Sequence, residues 1–164
     1  MSALLETRLG LPLFALPMLI QHRGTGAIQI NLVQLLVIVA LTTLLVVTHE
    51  AIHGLVMLGF GARPTFGAVF IARAVPAFYA TSVGHRFTRL QYFVVAVSPA
   101  LLISTVGFWL CFAGLTGYLL VPLAIHLGGC IGDGAAVLRL MREPPGTLCE
   151  DLKDGVRFFR PVRP

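Results

Sequence analysis

Seven acidic residues occur in this chain, and only two of them, Glu50 and Asp133, lie inside long apolar runs. An ionisable side chain in hydrocarbon is costly, so it normally serves function and faces the protein interior. Glu50 stands in the sequence Thr48-His49-Glu50-Ala51-Ile52-His53-Gly54, a complete HExxH. On a helix, a spacing of four is just over one turn, which stacks the two imidazoles on one face. Zinc accepts two such nitrogens, and a carboxylate beside the first histidine can take a proton from water at the metal. The metal also acidifies that water and polarises a carbonyl, the combination that amide hydrolysis needs. A plainer reading leaves His49, Glu50 and His53 as hydrogen-bonding glue between helices. Glue has no need of this spacing, nor of a carboxylate.

A catalytic zinc takes a third protein ligand and keeps one position open. Asp133, the other membrane acid, is the leading candidate. Counted from the outer ends of their runs at 1.5 Å per residue, Glu50 and Asp133 lie about 33 and 23 Å deep, both past the middle of a 30 Å core on the cytoplasmic side. His126 and Cys130 share a helical face with Asp133 at spacings of seven and three, and either could be an accessory ligand. His126 could equally be a polar contact within the bundle, and Cys130 a small packing residue. Gly128, Gly129, Gly132 and Gly134 flank this face and predict either a close approach to the HExxH helix or a local unwinding.

These residues need a scaffold, and composition limits its kind. Of 164 residues, 57% are hydrophobic and 12% charged, and the mean hydropathy is +0.88. Soluble domains carry about 25% charged residues. Half that fraction cannot cover a soluble globule, so the expectation is an all-α membrane protein. Its spans fall at about 28–60, 90–113 and 118–141, and a shorter run at 9–21, broken by Pro12 and Pro17, brings the count to three to four transmembrane helices. Residues 61–88 are punctuated by Gly, Pro and Arg, and Thr65–Thr81 is rich in β-formers, which predicts a short β-hairpin or strand segment. Residues 1–142 then form the membrane-embedded domain and residues 143–164 a soluble C-terminal tail.

Twelve Lys and Arg against seven Asp and Glu give a net charge of +5. Arg63, Arg73, Arg86 and Arg89 lie in the 61–89 connection, and Arg139 and Arg142 open the tail, while the turn at 114–117 has no basic residue. The positive-inside rule puts both basic segments, the strand segment and the C-terminus in the cytoplasm, and explains the charge without nucleic acid. Cys111, Cys130 and Cys149 form no disulfide framework. Ser98-Pro99 predicts a kink in the second span, whose freed carbonyl widens a water path.

Taken in order, His49–Gly54, Arg63-Pro64-Thr65-Phe66-Gly67, Tyr79-Ala80, Arg89-Leu90-Gln91-Tyr92, Ser98-Pro99 and Gly132-Asp133 resemble the putative zincin peptidase family of small bacterial membrane proteins. The resemblance covers roughly residues 30–140 and is distantly similar to the site-two intramembrane metalloproteases. It implies His49, His53 and Asp133 as zinc ligands and Glu50 as the catalytic carboxylate. The Asp133-Gly134 pair matches the end of the site-two aspartate motif, whereas the Asn-Pro that usually precedes it is missing. The expected activity is zinc-dependent endopeptidase cleavage of membrane-anchored peptides or proteins near the cytoplasmic face of a bacterial membrane. Membrane lipid is the expected surrounding. The alternative is a non-catalytic metal-binding scaffold or adaptor. The sequence assigns no substrate and no oligomeric state.

Overall fold

The computed structural model of the chain describes residues 31–71, 75–153 and 155–161. The run at 9–21 and Arg73 lie outside them. The elements are α1 (Leu32–Gly59), β1 (Thr65–Ile71), β2 (Val75–Thr81), β3 (Phe87–Thr88), α2 (Arg89–Leu110), a π-helical turn (Cys111–Leu115), α3 (Thr116–Gly129), α4 (Ile131–Met141), β4 (Leu148–Leu152) and β5 (Gly155–Phe159). Most of the described residues are therefore helical, and among them lie two small antiparallel sheets, β1-β2 and β3-β4-β5.

Local chemistry fixes the ends of the long helices. Asn31 and Gln34 bond reciprocally, Gln34 N–H to Asn31 Oδ1 at 2.8 Å and Asn31 N–H to Gln34 Oε1 at 3.0 Å. This capping box satisfies amides that have no partner in the first turn. Thr88 and Gln91 repeat the device ahead of α2. After α1, Gly61 takes a φ of 80° while its N–H bonds Leu58 O and that of Ala62 bonds Met57 O. That pattern is a Schellman stop, which needs a left-handed residue and so favours glycine.

Two stretches among the described residues are long and apolar enough to cross a membrane, Leu32–Gly59 and Arg89–Met141. The runs expected at 28–60, 90–113 and 118–141 fall in these two stretches, the second of which is interrupted twice. The first interruption is at Gly114, with a φ of 97° inside the π-helical turn. The second corrects the expectation of one helix over 118–141. Cys130 has a ψ of 0° and directs its N–H to His126 O and Leu127 O, which ends α3 before α4 begins. Glycines on both sides of Cys130 lower helix propensity where the break falls.

The chain divides into two compact units. Among the described residues, one holds 31–46 and Ala100–Ile131. Within it the backbone at Gly107 meets the Leu123 side chain so closely that a Cβ would collide. The other holds Val47–Pro99 and Gly132–Pro164 and contains both sheets. Its core packs Met57, Phe87, Tyr92, Val95, Leu140 and Cys149, with Val156 and Phe158 against them. The hairpin predicted over Thr65–Thr81 is present, pairing Thr65 with Thr81 and Phe66 with Ala80. The segment after Glu143, read as a solvated tail, instead supplies β4 and β5. Thr81 Oγ1 donates to Asp151 O at 2.7 Å and Gly84 N–H to Glu150 Oε1 at 2.7 Å, tying the end of β2 to β4.

Candidate metal centre

The C-terminal half of α1 presents His49 and His53 one turn apart. Their rings meet edge to face with centroids 4.7 Å apart, and the two Nε2 atoms are separated by 3.1 Å. Asp133 stands in the first turn of α4, where the helix dipole favours a carboxylate. Its Oδ2 lies 3.2 Å from His49 Nε2 and its Oδ1 3.4 Å from His53 Nε2. His53 is buried, and its Nδ1 donates to the backbone carbonyl of Val95 at 2.9 Å. In a neutral ring that bond leaves the lone pair on Nε2, the atom facing His49 and Asp133.

Three donors so arranged suit a zinc ion. Ligand atoms about 2.0–2.1 Å from a tetrahedral centre are about 3.3 Å from one another. The two Nε2 atoms stand 3.1 Å apart, and Asp133 sets a different oxygen 3.2 and 3.4 Å from each of them, so all three side chains lie near that separation. Two imidazoles and one carboxylate also form a donor set that zinc accepts, and the carbonyl behind His53 is the outer partner that such histidines usually have.

Glu50 lies next to this group and accepts the Ala80 N–H at Oε2, 2.7 Å away. Ala80 belongs to β2, so the hairpin holds the carboxylate from its backbone. A cavity of about 240 Å³ opens here, lined by Glu50, His53, Tyr92, Asp133, Asp151 and Lys153 among others. Within it, the Tyr92 hydroxyl donates to Asp151 Oδ1 at 3.3 Å. Burial pushes the Asp151 carboxyl up to about 6, outweighing the Tyr92 bond and the His53 charge that act against it. A second cavity of about 320 Å³ adjoins Glu50 and is walled by Val47, Ala51, Phe66, Phe78 and Tyr79. Glu50 therefore borders one polar and one apolar space. Close packing supports this corner, since a Cβ on Gly54 would strike the Phe66 ring and one on Gly67 the Tyr79 ring.

Of the residues singled out in the sequence, His49, Glu50, His53 and Asp133 come together. His126 and Cys130 meet each other at the end of α3, where Cys130 Sγ lies 3.8 Å from His126 Nε2 and 3.3 Å from its carbonyl. The expectation of close backbone approach at Gly128, Gly129, Gly132 and Gly134 fails, because a Cβ at each would meet nothing within 4 Å. The glycines lie beside a helix break and not in a tight contact. The sequence reading gave no role to Asp151, Lys153 or the Val95 carbonyl. The first two had a signal in Gly155-Val156-Arg157-Phe158, whose alternation of apolar and charged residues marks a strand.

A sequence model for the family described as putative zincin peptidase matches residues 42–148, about two thirds of the chain. The match takes in His49, Glu50, His53 and Asp133 and ends before Asp151 and Lys153. No curated protein and no solved structure matches the chain.

Proposed function

The chain belongs to the putative zincin peptidase family, and from that premise we propose that it is a zinc-dependent, membrane-embedded endopeptidase. His49, His53 and Asp133 are its metal ligands and Glu50 its catalytic carboxylate. The observation that carries this reading is the convergence of two imidazole nitrogens and a carboxylate, each histidine within 3.4 Å of one oxygen of Asp133, with a second carboxylate on the same helix turn. Zinc held there would supply a Lewis acid that acidifies water and polarises a peptide carbonyl. Glu50 takes the proton of the attacking water and delivers it to the leaving amine. The Ala80 amide fixes one oxygen of that carboxylate, so the base is already oriented.

Substrates are membrane-anchored peptides or proteins. Two features support this. The apolar cavity beside Glu50 suits an aliphatic or aromatic side chain next to the scissile bond. An extended peptide added along the β1–β2 hairpin would bring its backbone to the same carboxylate. The cut falls near the cytoplasmic face, a reading supported by the apolar helices and, through the positive-inside rule, by the basic residues of 61–89 and 139–142.

The test is Glu50→Gln in detergent-purified, zinc-loaded protein, scored on membrane-anchored test peptides. Loss of a general base lowers turnover by about 10²–10⁴-fold. Zinc content should stay at the wild-type level, because Glu50 is not a ligand. Cleavage at the wild-type rate would overturn the mechanism. Zinc binding without cleavage by the wild type, on any peptide, would return the site to a metal-binding scaffold.

A further inference from the structure

Pro99 lies inside α2 at a buried position, and no part of the chemistry above calls for it. In an unbroken helix the carbonyl of residue 95 accepts the N–H of residue 99. Proline has no N–H, and its ring pushes against the carbonyl four residues back, which here is Val95. A buried carbonyl robbed of its helix donor must find another. The donor it finds is His53 Nδ1, 2.9 Å away and 42 residues distant in sequence. The neighbouring carbonyl of Val94 is served differently, by the Ser98 hydroxyl.

We propose that Pro99 is a positioning residue for the metal centre: by withholding an amide hydrogen it reserves the Val95 carbonyl for His53. This rests on the zinc reading of the site. The consequence is a fixed ring and a fixed tautomer. With the proton of the neutral imidazole held on Nδ1, the Nε2 lone pair faces His49 Nε2 and Asp133 Oδ1, 3.1 and 3.4 Å away. A helix with an ordinary residue at 99 would spend the carbonyl on itself, and His53 could rotate or carry its proton on the nitrogen that must bind metal. The carbonyl freed at Ser98-Pro99 thus serves a ligand.

Two variants of the full-length protein in detergent separate the missing donor from the proline ring. Pro99→Ala restores the N–H. Replacement of Pro99 by L-lactic acid, introduced as a backbone ester, restores neither N–H nor ring. Zinc affinity, read by competition with a chromogenic chelator, should fall about 10–100-fold in Pro99→Ala, as for loss of an outer-shell partner. The ester should bind zinc like the wild type. Equal weakening in both variants, or none in Pro99→Ala, would overturn the proposal. If Pro99→Ala does not fold, the ester decides alone, and weakened binding by it refutes the idea. A wild type that takes no zinc at all would defeat the proposed function instead. In that case ¹⁵N spectra of the neutral His53 imidazole still read the inference. The proton should reside on Nδ1 in the wild type and in the ester, and a wild-type ring protonated at Nε2 would overturn it.

Discussion

The two compact units differ most in charge. Among the described residues, the unit containing 31–46 and 100–131 has no Asp, Glu, Lys or Arg, and the unit containing 47–99 and 132–161 has all of them. The first consists of helices whose apolar side chains largely face outward, as with Leu36 at 60% and Trp109 at 67% exposure. Only 6% of the most apolar window of α1 is buried within the protein. The second has a core, two sheets and the His49, Glu50, His53 and Asp133 side chains. A single helix, α1, contributes to both units, so hydropathy alone does not show where the chemistry lies. In its second half, side chains have specific partners on other elements: His53 has Val95, Glu50 has Ala80 and Met57 has the core.

That contrast is open to breakage by substitution. The largest effect on stability should come from Phe87→Ala, which removes a ring with no exposed surface from the centre of the charged unit's core. Such deletions cost about 3–5 kcal/mol. Leu36→Ala in the apolar unit should change stability by no more than about 0.5 kcal/mol. Denaturant titration in one detergent would measure both, and equal losses would mean that the units do not differ in how they are held together.

A somewhat smaller effect sharpens the picture of the polar cavity. Burial raises the Asp151 carboxyl to about 6, above the ~3.9 of an unfolded chain. Between about pH 4 and pH 6 the folded protein therefore keeps a proton that the unfolded chain has released. Stability from this group is fully present below that window and declines as pH rises through it, by about 3 kcal/mol in total. Asp151→Asn should flatten this part of the stability profile. An unchanged slope in the variant would show that Asp151 is not held in a desolvated wall.

Much of the site was legible because its residues are costly where they stand. His49, Glu50 and His53 in an apolar run, and Asp133 in another, declared themselves by type and spacing. The β1–β2 hairpin followed from β-formers set between glycines and prolines. The C-terminal sheet was hidden for the opposite reason. Its strands are short and carry Glu150, Asp151 and Arg157, which read as a solvated segment. Glu150 is in fact buried, held by the Gly84 amide and by Arg157 at 3.3 Å, a pairing that no local pattern announces. The break at Cys130 was foreshadowed by its glycines, but their composition fits close packing and unwinding equally well. The partner of His53 depends on a carbonyl 42 residues away. Only the fold brings it there.

The central claim is that His49, His53 and Asp133 form one metal centre. Zinc content of the purified, refilled protein, measured beside Asp133→Ala with a fold check on each, tests it most directly. The expected result is about one zinc per chain in the wild type. In the folded variant, affinity should fall by more than the about 10–100-fold typical of an outer-shell loss. A wild type that takes up no zinc, or an Asp133→Ala protein that binds it undiminished, would contradict the account.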